Sequence, residues 1–209
     1  MEQHLKGKTA FITGAGGGLG REVAVQLGQL GVCVAAADFN LESAQRTADL
    51  IVNAGGKALA VPVDVSNTSE VKDALAKVNA AFGPADFLIN IAGHFQAGRI
   101  QDISDEQWQR MMDVHLGGTF RCCRAVLDQM IERRSGRIVN IASVQAYGAG
   151  FGYLAPSTHY ATAKAGIIGF TKSLAREVGP SGVTVNVVAP TATETALWRG
   201  DTPPAELEQ

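Results

Sequence analysis

Tyr160 and Lys164 stand four residues apart in a stretch that reads as helix, so a single face carries both side chains. A phenol, with an ordinary pKa of about 10, is a poor base at neutral pH, but a neighbouring ammonium favours the phenolate. Such a pair can take a proton from a substrate hydroxyl or return one to a developing alkoxide. Ser143, 17 residues upstream on another element, adds an uncharged hydroxyl suited to hydrogen-bonding that same oxygen. A second group lies near the N-terminus. The run Thr13-Gly14-Ala15-Gly16-Gly17-Gly18-Leu19-Gly20 can bring bare backbone amides against a phosphate. Asp38, 24 residues past Gly14, is placed to accept hydrogen bonds from ribose hydroxyls and to repel a 2′-phosphate. The other reading of Asp38 is a helix cap ahead of Leu41. No Arg or Lys stands in the glycine run or at positions 36–41, which points to NAD(H) rather than NADP(H).

These groups need a scaffold that turns strand ends toward one crevice. Short apolar runs at 9–13, 32–38, 58–64, 86–92, 137–143 and 183–190 read as strands buried on both faces. Amphipathic stretches at 18–30, 41–54, 68–82, 104–134 (two helices) and 157–178 lie between them. Ser104 followed by Asp105 and Glu106 marks a helix start, and Gly55-Gly56, Gly83-Pro84 and Gly179-Pro180 mark helix stops. Strand–helix alternation with right-handed crossovers predicts an α/β fold, a doubly wound, Rossmann-like parallel sheet of about six strands. Ligands of such sheets bind beyond the carboxyl ends of the strands, where Gly14, Asp38 and Ser143 fall.

Composition narrows the class. With 209 residues, one domain spanning 1–209 is expected, and 46% apolar against 18% charged content excludes a disordered chain. A net charge of −2 argues against nucleic acid or an anionic membrane as partner. Cys33, Cys122 and Cys123 form no CxxC pair and read as buried small apolar residues in a reducing cytoplasm. The four histidines lack metal-ligand spacing, so no metal is expected. No apolar run is long enough to span a membrane.

With these residues in place the chain resembles the short-chain dehydrogenase/reductase family from about residue 6 to 198. Gly14, Gly18, Leu19 and Gly20 are similar to its cofactor loop, and Asp64-Val65 to its adenine contact. Asn90-Ile91-Ala92-Gly93 resembles its Asn-Asn-Ala-Gly segment, with Ile in place of the second Asn. Ser143 falls at its catalytic serine and Tyr160-Ala161-Thr162-Ala163-Lys164 at its Tyr-xxx-Lys motif. The resemblance gives Lys164 a second task on the nicotinamide ribose, and adds Pro190, Thr193 and Thr195 to the cofactor site. It implies an NAD-dependent oxidoreductase that interconverts a secondary alcohol and a ketone. A cofactor-binding protein with little catalysis, and a lyase or epimerase that recycles its cofactor, are the alternatives.

Three departures from the family pattern stand out. His115 occupies the place of an Asn that holds a relay water, where imidazole can either shuttle protons or simply pack in its helix. Thr191 replaces the usual glycine after Pro190. An extended loop, 144–159, carries Gln145, Tyr147, Phe151 and Tyr153 as a substrate wall. Apolar stripes through Val114, Phe120, Val126, Ile167, Phe170 and Leu174 suit the family's helix-mediated homodimer or homotetramer. The segment 191–209 is expected to be flexible, and the family's seventh strand is missing from the pattern.

Overall fold

The computed structural model describes residues 4–148, 156–191 and 193. Six strands form one parallel sheet: β1 (Thr9–Thr13), β2 (Cys33–Asp38), β3 (Lys57–Pro62), β4 (Phe87–Asn90), β5 (Gly136–Ile141) and β6 (Val183–Val188). Their order is β3-β2-β1-β4-β5-β6. The chain winds outward from β1 through β2 to β3, then crosses back to place β4 on the other side of β1. That reversal opens a crevice above the carboxyl ends of β1 and β4.

The unbroken apolar runs have a simple cause. Successive residues of β1 feed opposite cores: Phe11 joins Val61, Leu88 and Ile138 on one side, while Ala10 and Ile12 join Val34, Ala36 and Ile51 on the other. Both faces of the sheet are covered, so neither can be polar. Helices α1 (Gly18–Gln29) and α2 (Leu41–Asn53) lie on one side, and α3 (Thr68–Phe82), α5 (Gly118–Glu132) and α6 (Thr158–Val178) on the other.

The start of the stretch at 104–134 is capped as expected. Ser104 and Gln107 make a reciprocal capping box at the head of α4 (Asp105–Met112). Between α4 and α5 the backbone widens into a π turn, Asp113–Gly117. Freed carbonyls there are taken up by side chains, Arg121 on the Asp113 oxygen and the Thr119 hydroxyl on that of His115. Cys122 and Cys123 are both buried in the core, which pushes the Cys122 thiol up to about 12. Of the apolar stripe, Val114, Val126, Ile167 and Leu174 face the sheet, whereas Phe120 is 42% exposed under the Arg124 guanidinium. Among the described residues no helix is long and apolar enough to cross a membrane. Phe151, Tyr153, Thr195 and the rest of the C-terminal segment beyond Thr193 lie outside the described residues.

Candidate functional site

The glycine run turns from β1 into α1 as the sequence suggests. Gly14 adopts φ 71° and Gly18 φ 48°, conformations that glycine tolerates best. Asn40, Asn67 and Ser104 cap α2, α3 and α4 with their side chains, but α1 follows Gly17, which offers no side-chain cap, and has no acid in its first turn. Its amides therefore keep their donors for an anion. Asp38 does not cap α2, a task that falls to Asn40. Instead its carboxylate accepts from the Gly16 and Asn40 amides, at 2.9 Å each, and sits against the loop itself.

A cleft of about 300 Å³ runs from Gly14 and Asp38 past Asp64 and Val65 to Gly93. These residues fit the adenosine half of a dinucleotide: an acid for the ribose, apolar side chains for a flat base, and glycines where backbone must come close. β3 ends at Pro62, so Asp64 and Val65 lie just beyond the strand rather than closing it. Burial works to raise the Asp64 carboxyl, but hydrogen bonds from Ser66 and the Arg110 guanidinium outweigh it and hold the group low. Phe39 and Arg110 also line this cleft and escaped the sequence reading. An apolar residue directly after the ribose acid was the available signal for Phe39. Arg110 had none, because its bonds to Ser66 and Asp64 span more than 40 residues.

Ser143 lies two residues past β5, and Tyr160 and Lys164 stand on the first turns of α6, the Ser143 hydroxyl acting on the Tyr160 phenol. Lys164, only 4% exposed, donates to the Ile141 carbonyl at 2.8 Å. Burial draws its ammonium down to about 8. Its Nζ lies 5.6 Å from the centre of the Tyr160 ring. That placement alters the expected balance: burial pushes the Tyr160 phenol up, with the Ser143 hydroxyl drawing it partly back. The four-residue spacing brings the cation to the ring, but the Ile141 carbonyl holds it away from dominating the hydroxyl. Asn90 turns inward, where its Nδ2 donates to Asn140 at 2.8 Å, so its side chain belongs to the core rather than the cleft. The Pro190 carbonyl accepts from the Val144 amide at 3.1 Å and ties the end of β6 to the turn after Ser143. Thr193 bonds back to Thr191. Among the described residues no cluster of His, Cys, Asp and Glu could hold a metal.

A sequence profile described as short chain dehydrogenase matches residues 8–205. The chain belongs to the short-chain dehydrogenases. It is 37% identical over 194 residues to the hydroxy(phenyl)methyl-succinyl-CoA dehydrogenase subunit BbsD of Thauera aromatica, covering 93% of this chain and 76% of that one. It is 38% identical over 196 residues to the 3-oxoacyl-acyl-carrier-protein reductase FabG of Escherichia coli, covering 94% and 78%. A crystal structure of a short-chain type dehydrogenase/reductase from Mycobacterium marinum aligns with a TM-score of 0.85 at 32% identity, over 89% of this chain and 75% of that one.

Within this short-chain dehydrogenase, His115 occupies the π turn and is 2% exposed. Its ring meets Tyr160 edge-on, with centroids 5.4 Å apart, and a Cβ at position 93 would run into it. Nε2 lies 3.1 Å from the His94 amide nitrogen and 2.8 Å from the His94 carbonyl oxygen, so it can serve only one of them at a time. Nδ1 has no partner among the described residues. Burial, then the charge of Lys164, holds the His115 imidazole well below its ordinary value; His94 and His159 are lowered too, chiefly by burial. The folded protein thus resists a proton that the unfolded chain accepts. Stability is full above the ordinary imidazole value and falls as pH drops below it, by at most about 1.4 kcal/mol per pH unit for His115. Thermal midpoints should decline from pH 7 to pH 5, and His115→Asn should make that decline shallower.

Proposed function

We propose that this protein is an NAD(H)-dependent oxidoreductase that interconverts a secondary alcohol and a ketone at Ser143, Tyr160 and Lys164. The convergence of these three side chains just past β5, with Lys164 bonded to the Ile141 carbonyl and the Ser143 hydroxyl acting on the Tyr160 phenol, carries the reading. In support, one relative is named a dehydrogenase of a hydroxy compound and another a reductase of a 3-oxo compound. The nicotinamide cofactor supplies the hydride acceptor or donor. Ser143 hydrogen-bonds the reacting oxygen and orients it toward the phenol. Tyr160 donates its proton as that oxygen gains charge in reduction, and removes it in oxidation. Its raised pKa keeps the phenol protonated at neutral pH, which suits the reductive direction. Lys164 stays close enough to favour the transient phenolate and, with Pro190, Thr193 and Thr195, would hold the nicotinamide end. Gly14, Gly18, Leu19 and Gly20 would take the pyrophosphate, and Asp64 with Val65 the adenine.

Asp38 underlies the choice of NAD(H). A 2′-phosphate would meet its carboxylate, and the nearby Arg110 is already engaged by Ser66 and Asp64. We expect at least tenfold tighter binding of NADH than NADPH in a fluorescence titration, with Asp38→Ser narrowing the gap. Equal affinity for both in the native protein would refute the choice.

His115 acts as a clamp on the turn after β4 rather than as a proton carrier in this reading. A relay needs two exchanging neighbours, and both groups at Nε2 are peptide units of His94. The same geometry favours the second reading, a cofactor-binding protein with little catalysis, should proton supply fail. A single-turnover reduction without detectable product from a broad ketone panel would decide for it.

A homodimer or homotetramer is proposed from the outward face of α5, where Phe120 and Ile131 are exposed. Sedimentation should give a mass of at least twice 21.9 kDa at micromolar concentration. Three unpaired cysteines support a cytoplasmic location.

A further inference from the structure

We propose that the buried Asn140–Thr171 pair positions Lys164, by fixing how α6 lies along β5 and so holding the ammonium against the Ile141 carbonyl. The inference rests on the oxidoreductase reading for what Lys164 does, though not for how it is held. Among the described residues, α6 is fastened to β5 by two hydrogen bonds. Lys164 Nζ donates to the Ile141 carbonyl at 2.8 Å. Two turns further along, the Thr171 hydroxyl oxygen accepts from Asn140 Nδ2 at 2.9 Å. Asn140 and Ile141 are neighbours in β5, and Lys164, Ile167, Thr171 and Leu174 lie along one buried face of α6. A helix held to one strand at two such points is fixed in both slide and roll.

Both ends of the pair are anchored in turn. Asn140 Oδ1 accepts from Asn90 Nδ2 of β4 at 2.8 Å, so one side-chain amide links β4 to α6 across β5. Thr171 gives its own proton to the Ile167 carbonyl at 2.7 Å, which leaves its oxygen an acceptor for Asn140. The Cys123 thiol closes the cluster from α5, its sulfur 3.5 Å from Asn90 Nδ2. Asn140 and Thr171 are both buried, inside a layer otherwise made by Val126, Ile138, Leu174 and Val178.

Apolar contacts are non-directional and select no single register of helix on strand. A hydrogen bond in the same layer does, because its partners are costly to bury unpaired. Lys164 depends on that selection. It is buried, and the Ile141 carbonyl is the one acceptor its Nζ finds among the described residues. The titratable groups that face it are His115, from the π turn, and Tyr160, on its own helix. Burial keeps both uncharged at neutral pH, so neither can hold the ammonium in place of the carbonyl. Burial already draws the ammonium down to about 8. A loosened bond to Ile141 leaves that burial unopposed, and the proton is lost at lower pH.

Lys164 can be followed directly by NMR of the ligand-free protein with its lysine side chains isotope-labelled at Cε, the Lys164 signal being the one lost in Lys164→Met. Thr171→Val, which exchanges the hydroxyl for a methyl group, is expected to lower the Lys164 titration midpoint by at least half a pH unit. Thr171→Ser keeps the hydroxyl and should restore the native midpoint. Leu174→Ala, on the same buried face but with no hydrogen bond to β5, should lower the thermal midpoint and leave the titration in place. In ketone reduction with NADH, the alkaline limb of kcat should move down with the Lys164 titration in Thr171→Val, while KM for the ketone changes less than threefold. Should Thr171→Val fail to fold, Asn140→Ser, too short to reach Thr171, is read by the same criteria. A titration unmoved in the folded variant, or moved equally by Leu174→Ala, overturns the inference and leaves the oxidoreductase reading intact. A shifted titration in a native protein that turns over no ketone supports the positioning and defeats the oxidoreductase reading instead.

Discussion

Replacing Tyr160 with Phe is expected to lower kcat for ketone reduction by about a thousandfold, within the range that a positioned general acid contributes. The substitution removes a single oxygen and leaves the ring. Its edge-on contacts with Phe95 and His115, at 5.3 and 5.4 Å between centroids, are made by carbon atoms and persist. Loss of the hydroxyl's interaction with Ser143 should cost no more than about 1 kcal/mol of stability. Cofactor affinity should change little, because the cleft lined by Gly14 and Asp38 does not include Tyr160 among its walls. Steady-state turnover at saturating ketone, set beside an NADH fluorescence titration, separates the two effects. Activity within tenfold of the native protein would remove Tyr160 from its proposed role.

Gly14→Ala should be the most damaging small change in the cofactor loop. The residue holds φ 71°, and an added Cβ would lie 2.8 Å from the Ala92 nitrogen and 2.9 Å from the Ala92 Cα. The left-handed conformation costs about 1–2 kcal/mol for an L residue, and forcing extra volume against fixed backbone about 1–3 more. At about 2–4 °C per kcal/mol for a chain of this size, the thermal midpoint should fall by roughly 4–20 °C. The push falls on the segment after β4, which leads into the His94 peptide units gripped by His115, so NADH affinity should drop at least tenfold. Gly17→Ala supplies the contrast. Its φ is −165°, extended backbone, and a Cβ there meets nothing within 4 Å. Its effect on stability should stay within about 0.5 kcal/mol. Equal thermal midpoints for the two variants would show that the loop relaxes around Gly14.

Much of the sheet was legible because its causes are local. β1 was placed to the residue at Thr9–Thr13, and the helix start at Ser104 followed from a cap whose partners are three residues apart. Strand ends were less legible. The apolar runs continue past Pro62 and Ile141 into buried residues beyond the strand ends, such as Val63 and Ala142, whose amides make one last bond each to Asp38 and Val188. Burial is written in residue type; the end of a hydrogen-bond ladder is not.

The chain by itself determined the chemistry on offer: a glycine turn ahead of a helix, an acid at the end of the second strand, and a phenol and an ammonium one helical turn apart. Each depends on spacing within a few residues, which backbone geometry converts directly into position. Tertiary structure alone decided how those groups are tuned. The Ile141 carbonyl takes the Lys164 ammonium, so burial rather than the cation dominates Tyr160. Arg110 reaches Asp64 and Ser66 from across the cleft, Asn90 turns from cleft to core, and His115 grips His94 where sequence left a relay open. Those outcomes join residues 21 to 50 positions apart, and their energies depend on burial and on which partner arrives first in space. No local pattern encodes either quantity.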